Sequence, residues 1–218
     1  MRGAWATPQR APPEREVTMT VLKYIRYGAL ALIVVTLGVV GRYTLFQEAP
    51  LQKAPASHLG GAFSLSHVAG KTVTDRDFHG VWTLVFFGYT HCPDVCPTGL
   101  QIMSDALHKL PPATAEKVQP LFISLDPGRD TPEHVDEYAK AFHPKFIGLT
   151  GSLEDVTAMA KAYRVFFRKS PGSVEGSKDY TLDHSSATYL MNPDGTYDTW
   201  FSGDTSAEAM AQSLVARL

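Results

Sequence analysis

An α/β layered domain behind an N-terminal membrane span is the fold class this sequence predicts, on three observations. Two segments of strand length, the apolar run 81–88 and the segment 118–125, ask for buried strands. Between and after them lie segments with apolar residues at helical spacing and clear start and stop signals. Ahead of everything, a basic leader precedes an uncharged apolar stretch.

The N-terminus comes first. Residues 1–26 carry five basic side chains (Arg2, Arg10, Arg15, Lys23, Arg26) against Glu14 and Glu16. Residues 27–41 carry no charge, and after Arg42 the chain is apolar again to Phe46. A bilayer span needs roughly 17 to 25 apolar residues. Residues 27–46 reach that length if Arg42 snorkels to the headgroups. A cleaved signal peptide has a similar pattern, but no small-residue cleavage site closes this one, so a signal anchor is favoured. Positive charge ahead of the span keeps residues 1–26 cytoplasmic and exports the rest. In a bacterium the chain is then a single-pass inner-membrane protein with its C-terminal domain on the periplasmic side. Residues 47–60, rich in proline and alanine, form a linker. A domain of 61–218 follows.

Within that domain, 62–65 and 71–74 form a short hairpin around Ala69-Gly70, and Trp82–Gly88 is the central strand. Residues 98–110 form a helix with Leu100, Met103, Leu107 and Leu110 on one stripe, ended by Pro111-Pro112. Residues 118–125 return as a buried strand. Thr131 caps a helix with Pro132 at its first position, running to about Phe142. Residues 146–149 form a short strand, and Ser152 caps a helix to Tyr163. Residues 170–179 are a polar Gly/Ser insert. Strands at 186–191 and 196–201 flank the turn Asn192-Pro193-Asp194-Gly195, and 206–217 form the last helix. Strand, cysteine pair, helix, strand, helix, hairpin, helix is the order of a thioredoxin-like fold.

The charge balance, 20 basic against 22 acidic residues and a net −2, gives no basic excess for nucleic acid. The two cysteines, Cys92 and Cys96, do not make a disulfide-rich scaffold. They directly follow the central strand. A spacing of four places two helical side chains on one face, with α-carbons roughly 6 Å apart, close enough for a disulfide or a shared metal ion. A helix N-terminus favours anions, so both thiols are expected to have depressed pKa values. Redox dithiols more often have two intervening residues; three leave room for a metal.

A third ligand is sought among eight histidines. His91 adjoins Cys92, and adjacent side chains rarely converge. His58 and His67 lie upstream near the linker, and His79 lies at the far end of the central strand. His108, His134 and His143 sit on or beside helices. His184, in Asp183-His184-Ser185, precedes a strand of the closing hairpin, and in a thioredoxin-like sheet that loop packs against the cysteines. Two cysteines and an imidazole form a soft three-coordinate set suited to copper, whereas zinc wants a fourth firm ligand.

The string Phe86-Phe87-Gly88-Tyr89-Thr90-His91-Cys92-Pro93-Asp94-Val95-Cys96-Pro97-Thr98 strongly resembles the Sco/SenC copper proteins. So do Ser124-Leu125-Asp126-Pro127-Gly128-Arg129-Asp130-Thr131-Pro132 and Asp183-His184-Ser185. The resemblance implies a membrane-anchored thioredoxin-like domain that binds copper, as Cu(I) or Cu(II), through Cys92, Cys96 and His184. It also implies a role in assembling the copper A centre of cytochrome c oxidase. The implied partners are the oxidase subunit bearing that centre, an upstream copper donor and a thiol reductant. Asp126 is read either as shaping the cysteine loop or a partner surface, or as a turn and helix cap, and Asp183 either as orienting the imidazole or as pointing away from it.

Three other functions compete. A thiol-disulfide oxidoreductase would use Cys92 and Cys96 without needing His184. A peroxiredoxin-type peroxidase places threonine three residues before its cysteine, whereas Thr90 is two before Cys92. An electron-transfer copper A domain needs a histidine where Leu100 stands, which excludes it although Met103 is in place.

Overall fold

The computed structural model describes residues 27–30, 32, 34–36, 59–170 and 179–218. The chain divides into two units, Met1–Ala54 and Pro55–Leu218. In the first, the described residues are helical. Most of the expected anchor at 27–46 and the linker at 47–58 lie outside the described residues. Among those described, no helix is long and apolar enough to cross a membrane.

The second unit is built on a five-stranded mixed sheet. Its elements are β1 (Ser64–Ser66), β2 (Thr72–Thr74), β3 (Trp82–Gly88), α1 (Val95–Lys109), α2 (Pro112–Ala115), β4 (Val118–Ser124) and α3 (Pro132–Lys140). Then follow β5 (Ile147–Leu149), α4 (Leu153–Ala162), β6 (Phe167–Lys169), β7 (Leu182–His184), β8 (Thr188–Met191), β9 (Tyr197–Phe201) and α5 (Ala207–Val215). The main sheet runs β5-β4-β3-β8-β9. β3, β4 and β5 are parallel, while β8 and β9 are antiparallel to their neighbours.

β3 sits in the middle because its residues leave it no other place. Thr83 to Gly88 are all buried, so successive side chains on both faces need cover. The stripe of α1 supplies part of it: Leu100, Met103 and Leu107 are buried, with α1 packed on α5 and β3. α3 packs on β5 and β4, and α4 on β1. Two helix caps, Thr131 and Ser152, are those the sequence marks, and Ser206 caps the last helix. Thr131, Ser152 and Ser206 side chains accept from the backbone N–H three residues on, at 3.3, 3.1 and 3.2 Å.

Three elements differ from expectation. α1 starts at Val95, three residues early, because Pro97 falls in the first turn, where a missing N–H leaves no intrahelical bond unmade. Pro112 opens the short helix α2 instead of merely ending α1. The insert is flanked by strands: β6 and β7 pair antiparallel, with Phe167 opposite His184. Residues 171–178 lie outside those described.

Candidate metal centre

β3 delivers the cysteine loop at its C-terminal end, where parallel strands open into a crevice. Cys92 lies in that loop and not on the helix; Cys96 lies in the first turn of α1, and both are buried. Gly88 makes the close approach possible. A β-carbon there would come within 2.6 Å of Cys96 Sγ and 2.9 Å of the Phe122 ring.

The loop is held from the next strand. Thr90 donates to the Asp130 carboxylate twice, from its N–H at 3.0 Å and its hydroxyl at 2.6 Å. The Ser124 hydroxyl donates to the same group at 2.5 Å. Asp130 is only 2% exposed, so these donors replace the water its charge gave up. Of the readings the sequence left open for Asp126, holding this loop falls instead to Asp130, which sequence reasoning missed and whose only signal is its place just before the Thr131 cap. Asp126 acts on the other half of the site. It accepts from Arg129 Nε at 2.6 Å and from the Tyr180 hydroxyl at 2.5 Å. Tyr180 lies two residues before β7, so Asp126 steadies the segment that leads to His184. Its backbone carbonyl also accepts from the N–H groups of Arg129 and Asp130, as the turn expectation required.

His184 ends β7. The Leu182 N–H donates to the Tyr89 hydroxyl at 3.2 Å, tying that strand to the residue after β3. Asp183 does not orient the imidazole. Its carboxylate takes bonds from Arg168 Nε at 3.2 Å and Ser170 Oγ at 2.6 Å, on the opposite side of the strand. The ring is fixed by His184 Nδ1 against the Ser185 carbonyl at 2.9 Å. A carbonyl only accepts, so Nδ1 carries a proton and Nε2 is the ring atom left to the site. Nε2 faces the sulfurs, 3.2 Å from Cys96 Sγ and 4.0 Å from Cys92 Sγ. All three donor atoms lie within 4.8 Å of one another.

The two thiols are not equivalent, contrary to the expectation that both are acidified. Cys92 is lowered to about 4, chiefly because the Cys96 thiol donates to it. Cys96 is pushed up by the same contact and by burial. One proton therefore stays on Cys96 and one charge on Cys92. In the reduced, metal-free protein the ultraviolet absorbance of thiolate should titrate as one group with a midpoint at about 4, the second thiol remaining protonated through neutral pH. Two thiols titrating together near the ordinary cysteine value of about 8.5 would contradict the asymmetry.

No other described histidine joins the site. His91 turns to the Thr90 hydroxyl at 3.1 Å, and its ring lies 6.2 Å from that of His134. His67 bonds Asp136 at 3.0 Å, and His79 lies against the turn at Gly195. His108 and His143 pack edge to face. His58 lies outside the described residues.

Comparison with known proteins places this site in context. The SCO1/SenC family model matches residues 51–218. Protein SCO1 homolog 1, mitochondrial, from Arabidopsis thaliana is 41% identical over 160 residues, which is 73% of this chain and 47% of that protein. The human SCO1 homolog, also mitochondrial, is 42% identical over 161 residues, 73% of this chain and 53% of that protein. The chain thus spans about half the length of these curated relatives. Among solved structures, Bradyrhizobium japonicum ScoI with copper bound is 41% identical, with a TM-score of 0.65, covering 73% of this chain and 99% of that one. The shared mixed α/β architecture is thioredoxin-like, and the chain belongs to the SCO1/SenC family.

Proposed function

We propose that this chain binds copper through Cys92, Cys96 and His184 and serves in assembly of the copper A site of cytochrome c oxidase. The observation that carries the reading is His184 Nε2 facing two buried cysteine sulfurs that form no disulfide, the three atoms within 4.8 Å of one another. Two sulfurs and one imidazole suit copper(I) and hold copper(II) with a weak fourth ligand. A similar chain, the Bradyrhizobium ScoI, has been solved with copper bound. Copper here is cargo: a buried three-donor set holds it firmly, while exchange with acceptor thiols lets it leave.

In the same proposal residues 27–46 anchor the chain in the membrane, 47–60 link it, and 61–218 work on the exported side. Its partners are the oxidase subunit bearing the copper A site, a copper donor and a thiol reductant. A cell lacking the chain should lose copper A absorbance from its oxidase, and the parent should restore it where Cys92→Ser does not. Full assembly without the chain would refute the role. A reporter active only after export, fused behind Leu218, should work, and one confined to the cytoplasm should be silent. The reverse pattern would put the domain inside and remove the oxidase reading.

A second reading rests on the asymmetry of the thiols. A thiolate at Cys92 beside a protonated Cys96 is the arrangement of a dithiol reductant. Cys92 would attack a partner disulfide, forming a mixed disulfide and releasing one thiolate. Cys96, losing its proton, would then close on Cys92 and free the second. The partner gains two electrons, and this chain becomes a disulfide that must itself be reduced. His184→Ala separates the two: it should leave this exchange running while copper binding falls.

A further inference from the structure

We infer that the exposed end of α4, with Lys161, Arg164 and Phe166, is a docking face for an anionic lipid bilayer. Three observations converge on it. The first is where the chain enters the domain: Gly60 N–H donates to the Ala162 carbonyl at 3.0 Å, so the linker meets the fold at the last residue of α4. In the tethered topology proposed above, this is the end of the domain that the linker enters.

The second observation is backbone strain at an arginine. Arg164 has φ of 55°, the left-handed region that favours glycine. It closes α4 where glycine is usual, with Val165 N–H donating to the Ala160 carbonyl at 2.7 Å. An arginine held there points to a use for its side chain. The third is the company it keeps. Lys161, Arg164 and Phe166 are all exposed and border one open trough of about 470 Å³. Phe166 stands 55% exposed on a backbone that is fixed: its N–H donates to the Ser185 hydroxyl at 3.2 Å, and its carbonyl accepts from Ser185 N–H at 3.0 Å. The acidic residues of α4, Glu154 and Asp155, lie in its first turn, at the opposite end. Asp183, across the β6–β7 pair, is engaged with Arg168. Two cations flanking a protruding aromatic ring match an interface of anionic headgroups over acyl chain.

The inference uses the tethered topology proposed above for its orientation, but the contact itself is testable without the anchor. The solved ScoI relative is 99% covered by this match, so a domain of this extent stands alone. The domain 59–218 should float at low salt with vesicles containing equal parts phosphatidylglycerol and phosphatidylcholine, and not with phosphatidylcholine alone. Each basic residue near an anionic surface is worth about five-fold in partitioning. Lys161→Gln and Arg164→Gly should each lower it by about that factor, and Phe166→Ala should also lower it. Arg164→Gly carries the discrimination, because glycine relieves the backbone and the variant should melt no lower than the parent. Equal partitioning to both vesicles, or variants that bind as the parent does, would overturn the lipid face. So would a loss confined to binding of the oxidase subunit. Alkaline carbonate extraction of the full chain separates the two proposals. Retention without vesicle binding by the domain keeps the anchor and refutes this face. Vesicle binding by the domain with release of the full chain does the opposite.

Discussion

Cys96→Ser should abolish copper binding by the reduced domain, and Cys92→Ser should do the same. Removing groups that merely orient a metal ligand costs about 10–100-fold in affinity; losing one of two thiolates leaves a single sulfur and an imidazole, too few for a firm soft-metal site. His184→Ala should weaken binding by a smaller margin, because both sulfurs remain, and should leave the dithiol able to form a disulfide. Affinities measured by competition with a copper(I) chelator would show this order. His108→Ala and His134→Ala are controls that should leave affinity unchanged, since neither ring approaches the sulfurs. Equal affinity in the Cys96→Ser variant would remove the proposed donor set.

Asp130→Ala should be the most damaging change outside the three donors. The carboxylate is buried and takes bonds from Thr90 N–H, Thr90 Oγ1 and Ser124 Oγ. Hydrogen bonds to a charged group contribute about 1.5–3 kcal/mol each, and orphaned buried donors add to the loss. Alanine also removes a buried charge, which offsets part of this. A net destabilisation of roughly 3–5 kcal/mol is expected, measured by denaturant unfolding of the metal-free domain. Asp130→Asn keeps one acceptor and should lose less. The chemical consequence is separate from the stability. The loop from Tyr89 to Asp94 carries Cys92, so its release should slow copper uptake and blur the thiolate titration even below the unfolding transition. A variant as stable as the parent, with an unchanged titration, would show that the loop is held by something else.

The elements that could be foreseen are those whose side chains state their own environment. β3 is a nearly unbroken apolar run and β4 is apolar at most positions, and both are interior strands of the sheet. Thr131, Ser152 and Ser206 stand where a helix must begin. What could not be foreseen depends on contacts distant in sequence. Asp130 reads as a loop residue until Thr90, 40 positions away, donates to it. β6 is three residues long and reads as a strand only when β7 is beside it. Asp183 adjoins His184 in the chain, but strand alternation sends adjacent side chains to opposite faces, so the nearest carboxylate in sequence serves Arg168. The donor set was legible because a close thiol pair after a buried strand admits few uses. The split between the thiols was not, since it arises from their mutual hydrogen bond and not from their spacing.

The most direct test of the account is an anaerobic copper(I) titration of the 59–218 domain in its two redox states. The reduced domain should take up one copper(I) per chain, and the disulfide form should take up none, having no thiolate to offer. Equal uptake by the two states would contradict Cys92 and Cys96 as the ligands.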